Sequence, residues 1–146
     1  MSWAIRVSPK NHLLVTAFYD DVTAEELPVY LRAVQELAAD FPKGFKEIVD
    51  GRRVAENPSL SGPGIFSAVE HEDEHSGSRR IAIVVDRPLI HGQARQYDSA
   101  RTARFDAEAR FFENGEEAAA WQGVADLGRE IERFLAAAPE GADRAG

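Results

Sequence analysis

The sequence has no cysteine. Disulfides, thiol nucleophiles and thiolate metal sites are excluded together, so stability has to come from packing and polar contacts. Long apolar runs are missing as well. The longest aliphatic stretch, Ile81-Ala82-Ile83-Val84-Val85, falls far short of the roughly 20 residues that span a bilayer. The opening Met1-Ser2-Trp3-Ala4-Ile5-Arg6 lacks the apolar core of a signal peptide. The expectation is a cytoplasmic chain with no membrane span. Positive charge is scarce: 17 Lys and Arg face 25 Asp and Glu, a net charge of −8. Such a field repels phosphate backbones, and nucleic acid is not an expected partner. A G-x-x-x-x-G-K phosphate loop and a G-x-S-x-G elbow are both absent, which argues against nucleotide hydrolysis and serine-esterase chemistry.

What is present fits one core. A chain of 146 residues that is 44% hydrophobic has enough apolar surface for a single domain and no room for a second. The reading is one α/β domain over residues 1–138, followed by a polar, disordered tail at 139–146. Trp3, Ile5 and Val7 alternate with Ala4 and Arg6, and the turn residues Ser8-Pro9-Lys10-Asn11 lead into Leu13 to Phe18, which predicts an N-terminal β-hairpin. Thr23 with Glu26 has capping-box spacing, and the apolar residues from Leu27 to Phe41 recur at helical spacing, predicting a helix over 24–40. Pro28 fits only by kinking the first turn or delaying the start. Phe45 to Asp50 reads as a short strand and Gly51 to Gly64 as a loop; a short helix then runs from Ile65 to Glu74.

The unbroken run Ile81 to Val85 is what a strand covered on both faces needs, so it is placed centrally in the sheet. A helix over about 87–103, a strand at 109–112, and a helix capped by Asn114 with Glu116 and Glu117 in its first turn complete the pattern. Val124, Leu127, Ile131, Phe134, Leu135 and Ala138 extend an apolar stripe, with Gly123 either dividing two helices or lying inside one. That stripe has to cover the sheet or a second subunit, and a homodimer is one expectation. The order is ββαβαβαβα plus a C-terminal helical extension: a mixed, mostly parallel sheet with a hairpin at its edge.

The strand order, together with Arg80-Ile81-Ala82-Ile83-Val84-Val85, Gly92-Gln93-Ala94-Arg95-Gln96-Tyr97 and the run from Phe111-Phe112 through Glu116-Glu117-Ala118 to Trp121, resembles the SpoIIAA-like branch of the STAS-like superfamily over about residues 3–121. The resemblance implies a non-enzymatic binding or regulatory module without a cofactor, which takes a protein partner or a small apolar ligand. In the anti-sigma-factor antagonists of that superfamily, a serine ahead of the second helix is phosphorylated. Ser59-Leu60-Ser61-Gly62-Pro63-Gly64 is similar and puts Ser61 at that position. Leu60, Ser59 and Pro63 depart from the family pattern. A phosphate on Ser61 is compatible with a following helix N-terminus, and simple capping is the plainer use of the residue.

Three further patterns bear on chemistry. His71-Glu72-Asp73-Glu74-His75 matches H-E-x-x-H, which on a helix aims two histidines at one zinc with Glu72 as general base; a zinc-dependent hydrolase is the alternative function. Ser76-Gly77-Ser78 follows at once, so a solvated acidic helix end is the competing reading. Arg87, His91 and Arg95 recur every four residues, which stacks three cations on one helix face for an anionic ligand or acidic partner, or leaves them as a solvated face. Gly92 inside that helix suggests close approach by a neighbouring element. Asp50 stands where α/β sheets bind ligands, although with Gly51 behind it a turn is the simpler use.

Overall fold

The computed structural model describes residues 3–20, 25–41, 45–55, 80–87, 92, 95, 99 and 108–137. Strand β1 (Trp3–Ser8) turns through a single 3-10 turn at Pro9–Asn11 into β2 (Leu13–Asp20), giving the expected hairpin. Helix α1 (Glu26–Leu37) then leads to β3 (Lys46–Val54), β4 (Arg80–Val84), β5 (Glu108–Phe112), α2 (Gly115–Trp121) and α3 (Gly128–Ala137). The strands form one sheet in the order β1-β2-β3-β4-β5. Among the described strands the β1–β2 pair is antiparallel, and the β2–β3, β3–β4 and β4–β5 pairs are parallel. The chain is thus a single α/β domain with a mixed, mostly parallel sheet between helices.

Both faces of the sheet are covered. Leu14, Phe18, Ile81 and Ile83 meet Tyr30, Leu31 and Val34 of α1 on one side. Leu13, Val15, Ile48, Ala82 and Val84 meet Ala118, Ala119, Ile131 and Leu135 of α2 and α3 on the other. Each large aliphatic side chain removed from water in these layers contributes about 1.5–3 kcal/mol. Two-sided cover also explains why Leu13 through Tyr19 are all buried, without the alternation of a half-solvated strand.

Several sequence expectations change in detail. The helix expected at 24–40 is α1 at 26–37, and its N-cap residue is Glu25, which makes no side-chain cap bond; Thr23 lies outside the described residues. Starting at Glu26 makes Pro28 the third helical residue, where an amide has no intrahelical acceptor anyway, so the proline costs no hydrogen bond. The Ile81 strand is interior, but the centre of the sheet is β3. The strand expected to stop at Asp50 continues to Val54, because β2 pairs with it there, Tyr19 with Arg53 and Asp20 with Val54, beyond an irregularity between Ala17 and Tyr19. Asp50 is therefore a strand residue, not a turn.

The closing segment follows its sequence signals. The Asn114 side chain accepts a hydrogen bond from the Glu117 amide at 2.9 Å, which caps α2. Gly123 divides two helices, at φ +79°, a left-handed backbone that favours glycine. Val124, Ile131 and Leu135 of the apolar stripe are buried against the sheet of their own chain. The helix expected at 65–74 and the tail at 139–146 lie outside the described residues; of the helix expected at about 87–103, Gly92, Arg95 and Ser99 are described with helical backbone. Among the described residues a Cβ at Gly92 meets nothing within 4 Å, so none of them demands a glycine there. Gly92→Ala should raise stability by up to about 1 kcal/mol through helix propensity, read as a higher urea midpoint.

Candidate functional site

Residues two apart in a strand share a face, so Asp50 and Arg52 both turn toward α2 and α3. The Asp50 side chain is 3% exposed and that of Arg52 20%. A carboxylate that deep needs a cation and hydrogen bonds. Arg52 supplies both: its amide donates to Asp50 Oδ1 at 2.9 Å, Nε to the same oxygen at 3.0 Å, and Nη2 to Oδ2 at 2.9 Å. The other side of the guanidinium is taken by Glu132 of α3, with Nη1 to Oε1 at 2.6 Å and Nη2 to Oε2 at 2.8 Å. Glu132 Oε2 also accepts from the Gly115 amide at 3.2 Å. A single guanidinium thus joins β3 to α3, and its carboxylate partner reaches the start of α2. The close approach requires Gly115: a Cβ there would lie 2.9 Å from Glu132 Oε2 and from Leu135 Cδ1.

The hydrogen bond from Arg52 is the main cause that lowers the Glu132 pKa, working against partial burial, with the charge of Arg52 and the Gly115 amide adding to it. Arg52 is held cationic, first by the bond to Glu132. A carboxylate with a depressed folded pKa contributes stability that is complete above its unfolded value and is lost as pH falls through the folded one. The thermal midpoint should therefore drop on acidification below the ordinary carboxylate range, and Glu132→Gln should make that drop smaller in scans at pH 7, 5 and 3.

Beside this cluster β3 outruns its neighbour, since the β3–β4 pairing ends at Asp50 with Val84. The carbonyls of Gly51, Arg52 and Val54 face the gap, and Arg87 Nη2 reaches all three. The side chain stands in for a missing strand. At the far end of α2, Lys46 Nζ donates to the Gln122 carbonyl at 2.9 Å and Arg80 Nη2 to the Trp121 carbonyl at 2.7 Å, two cations at the negative end of the helix. The Arg80 guanidinium also lies 3.9 Å from the Trp121 ring centroid. Gln122, 2% exposed, donates through Nε2 to the carbonyls of Glu47 and Arg80 and fixes the α2 end to β3 and β4. On the α1 face a second polar group is buried: Tyr30 Oη lies 3.1 Å from Thr16 Oγ1 and donates to Glu47 Oε1 at 3.2 Å.

No family model, curated protein or solved structure matches the chain. Its reading rests on its own residues. Ser61, His71, Glu72, His75 and His91 lie outside the described residues. Arg87 and Arg95 are described and hold different partners: Arg87 the carbonyls of β3, and Arg95, exposed, the ring of Phe111 with 5.9 Å from guanidinium carbon to centroid. Among the described residues no group of three or more His, Asp or Glu is placed to hold a metal, and no helix is long and apolar enough to cross a membrane.

Arg52, Glu132 and Gln122 carry no sequence motif. The one available signal was Asp50-x-Arg52, an acid and a base on one strand face, and it becomes visible only once β3 is known to continue past Gly51.

Proposed function

We propose that the chain is a non-enzymatic, STAS-like binding module of the SpoIIAA-like kind, serving a protein partner or a small apolar ligand. The observation that carries the reading is the order of elements. An antiparallel hairpin feeds a parallel run β2-β3-β4-β5, and the last strand is followed at once by an Asn-capped helix ending in Trp121. That is the arrangement the resemblance implies, with the closing unit at the expected residues. The chemistry of the described polar groups agrees with it. Arg52, Asp50 and Glu132 hold one another, while Lys46, Arg80 and Arg87 donate to backbone carbonyls, so these groups act as struts between elements.

Native mass spectrometry of untagged protein, next to the same sample under denaturing conditions, tests the reading. A non-covalent adduct of a small apolar molecule, or a stoichiometric protein complex, is the expected result. Stoichiometric zinc together with turnover of ester or peptide substrates would replace the module with a hydrolase built on His71, Glu72 and His75.

A further inference from the structure

Strand β5 closes the sheet on the side away from the hairpin, and among the described residues no strand lies beyond it. One hydrogen bond fixes which of its backbone groups point outward. The Val85 amide donates to the Phe112 carbonyl at 3.0 Å, so Phe112 turns its backbone toward β4. Backbone direction alternates along a strand; Arg110 and Glu108 therefore also pair inward, while Ala109 between them turns its N–H and C=O outward. A donor and an acceptor presented together on a sheet edge are a template for another strand.

The side chains that flank this template are of opposite sign. Glu108 and Arg110 stand two residues apart, on one face of β5, and both are exposed. The Glu108 side chain is 58% exposed, and its contact with Arg80 is long, at 3.7 Å. Arg110 lies 5.8 Å from the Trp121 ring centroid and has no carboxylate partner among the described residues. Like charges on an edge keep copies of a chain apart. Opposite charges two residues apart attract an antiparallel copy of the same pair.

The register follows from the outward groups. A twofold axis at Ala109 makes this residue and its symmetry mate a hydrogen-bonded pair, each amide donating to the other's carbonyl. Glu108 then falls opposite Arg110 of the second copy, and Arg110 opposite its Glu108, both as non-hydrogen-bonded pairs, in which side chains approach most closely. Neighbouring registers lose this match: an axis at Arg110 sets that residue against itself, and an axis at Phe111 sets Arg110 against Phe112. The other edge, β1, carries Arg6 as its single charge and offers nothing opposite to a copy of itself.

We infer that β5 is the edge through which two copies of this chain associate, antiparallel about a twofold axis at Ala109, held by two Ala109 hydrogen bonds and two Glu108–Arg110 ion pairs. The isologous contact uses the same edge of both copies and so closes at a dimer. This interface is separate from the apolar stripe of α3, which is buried against its own sheet. It also goes beyond the proposed binding of another protein or a small ligand and does not depend on it.

Sedimentation equilibrium of the full chain over a range of concentrations reads the association, and a reversible dimer is expected. Glu108→Arg and Arg110→Glu each set two like-charge pairs across the axis and should each weaken the dimer by about tenfold or more. An equimolar mixture of these two variants should dimerise again, because every pair across the axis is then of opposite sign. The chain carrying both exchanges should dimerise as well. Ala109→Pro removes the outward amide without touching the ladder to β4 and should also weaken the dimer. Circular dichroism confirms folding, and Ala109→Pro with the double exchange carries the test if either reversal fails to fold. An unsubstituted chain that stays monomeric, a dimer indifferent to both reversals, or a mixture of folded reversals that stays monomeric overturns β5 as the interface.

Discussion

Arg52→Met should lower the unfolding free energy by about 3 kcal/mol, the lower end of the range for breaking a buried ion pair from one side. Methionine keeps most of the aliphatic stem, so the loss is chiefly electrostatic. Asp50 stays in place with its side chain 3% exposed, and of its Arg52 contacts only the backbone amide of residue 52 survives. Glu132 loses both guanidinium bonds but is 26% exposed and can rehydrate. Most of the cost therefore falls on Asp50. That assignment makes a second expectation: adding Asp50→Asn to Arg52→Met removes the stranded charge and recovers part of the loss, so the two substitutions are strongly non-additive. Urea denaturation of the two single variants and the double variant reads both effects. A cost for Arg52→Met below about 1 kcal/mol would put the cluster in the class of exposed ion pairs and remove its role as the tie between β3 and α3.

That cluster marks the boundary of what the sequence discloses. Local signals were legible: the alternation of Trp3, Ile5 and Val7, the turn at Pro9, the unbroken run at Ile81 and the Asn114 cap all act within a few residues and all reappear in the fold. Signals that depend on a neighbour were not. Gly51 reads as a chain breaker by itself, and only the pairing of Asp20 with Val54 keeps β3 extended past it. Glu132 is 80 residues from Arg52, and nothing in its own helix distinguishes it from Glu130. Helical Gly92 suggests a close neighbour, and none of the described residues is within reach of its Cβ position. Asp50 lay between these cases, its place at the carboxyl end of a strand visible and its partner not. The indole of Trp3 shows the same divide: its burial follows from strand alternation, but its packing against Tyr30 emerges only when α1 is laid across the hairpin.

Removal of everything after Gly123 should abolish cooperative folding. The apolar stripe from Val124 onward left two uses open in the sequence, cover for the sheet or for a second subunit, and the two predict opposite results. A stripe serving only a subunit interface would leave a folded monomer when cut away. In the fold Val124, Ile131 and Leu135 are 3%, 5% and 0% exposed and join Leu13, Val15, Ile48 and Val84 in one cluster. Their loss uncovers the α3 side of β2 and β3, strands whose other face is already committed to α1, and leaves Arg52 without Glu132. The point substitution Leu135→Ala measures one part of this, with an expected cost of about 2–5 kcal/mol for a fully buried leucine whose surroundings cannot collapse into the space. Collapse is restricted here because Leu135 Cδ1 lies 2.9 Å from the Cβ position of Gly115, where the capped start of α2 fixes the backbone. Urea titration of Leu135→Ala and heteronuclear NMR of the 1–123 fragment decide the matter. A dispersed spectrum from the fragment would return the stripe to an interface, and a collapsed one makes α3 part of the core.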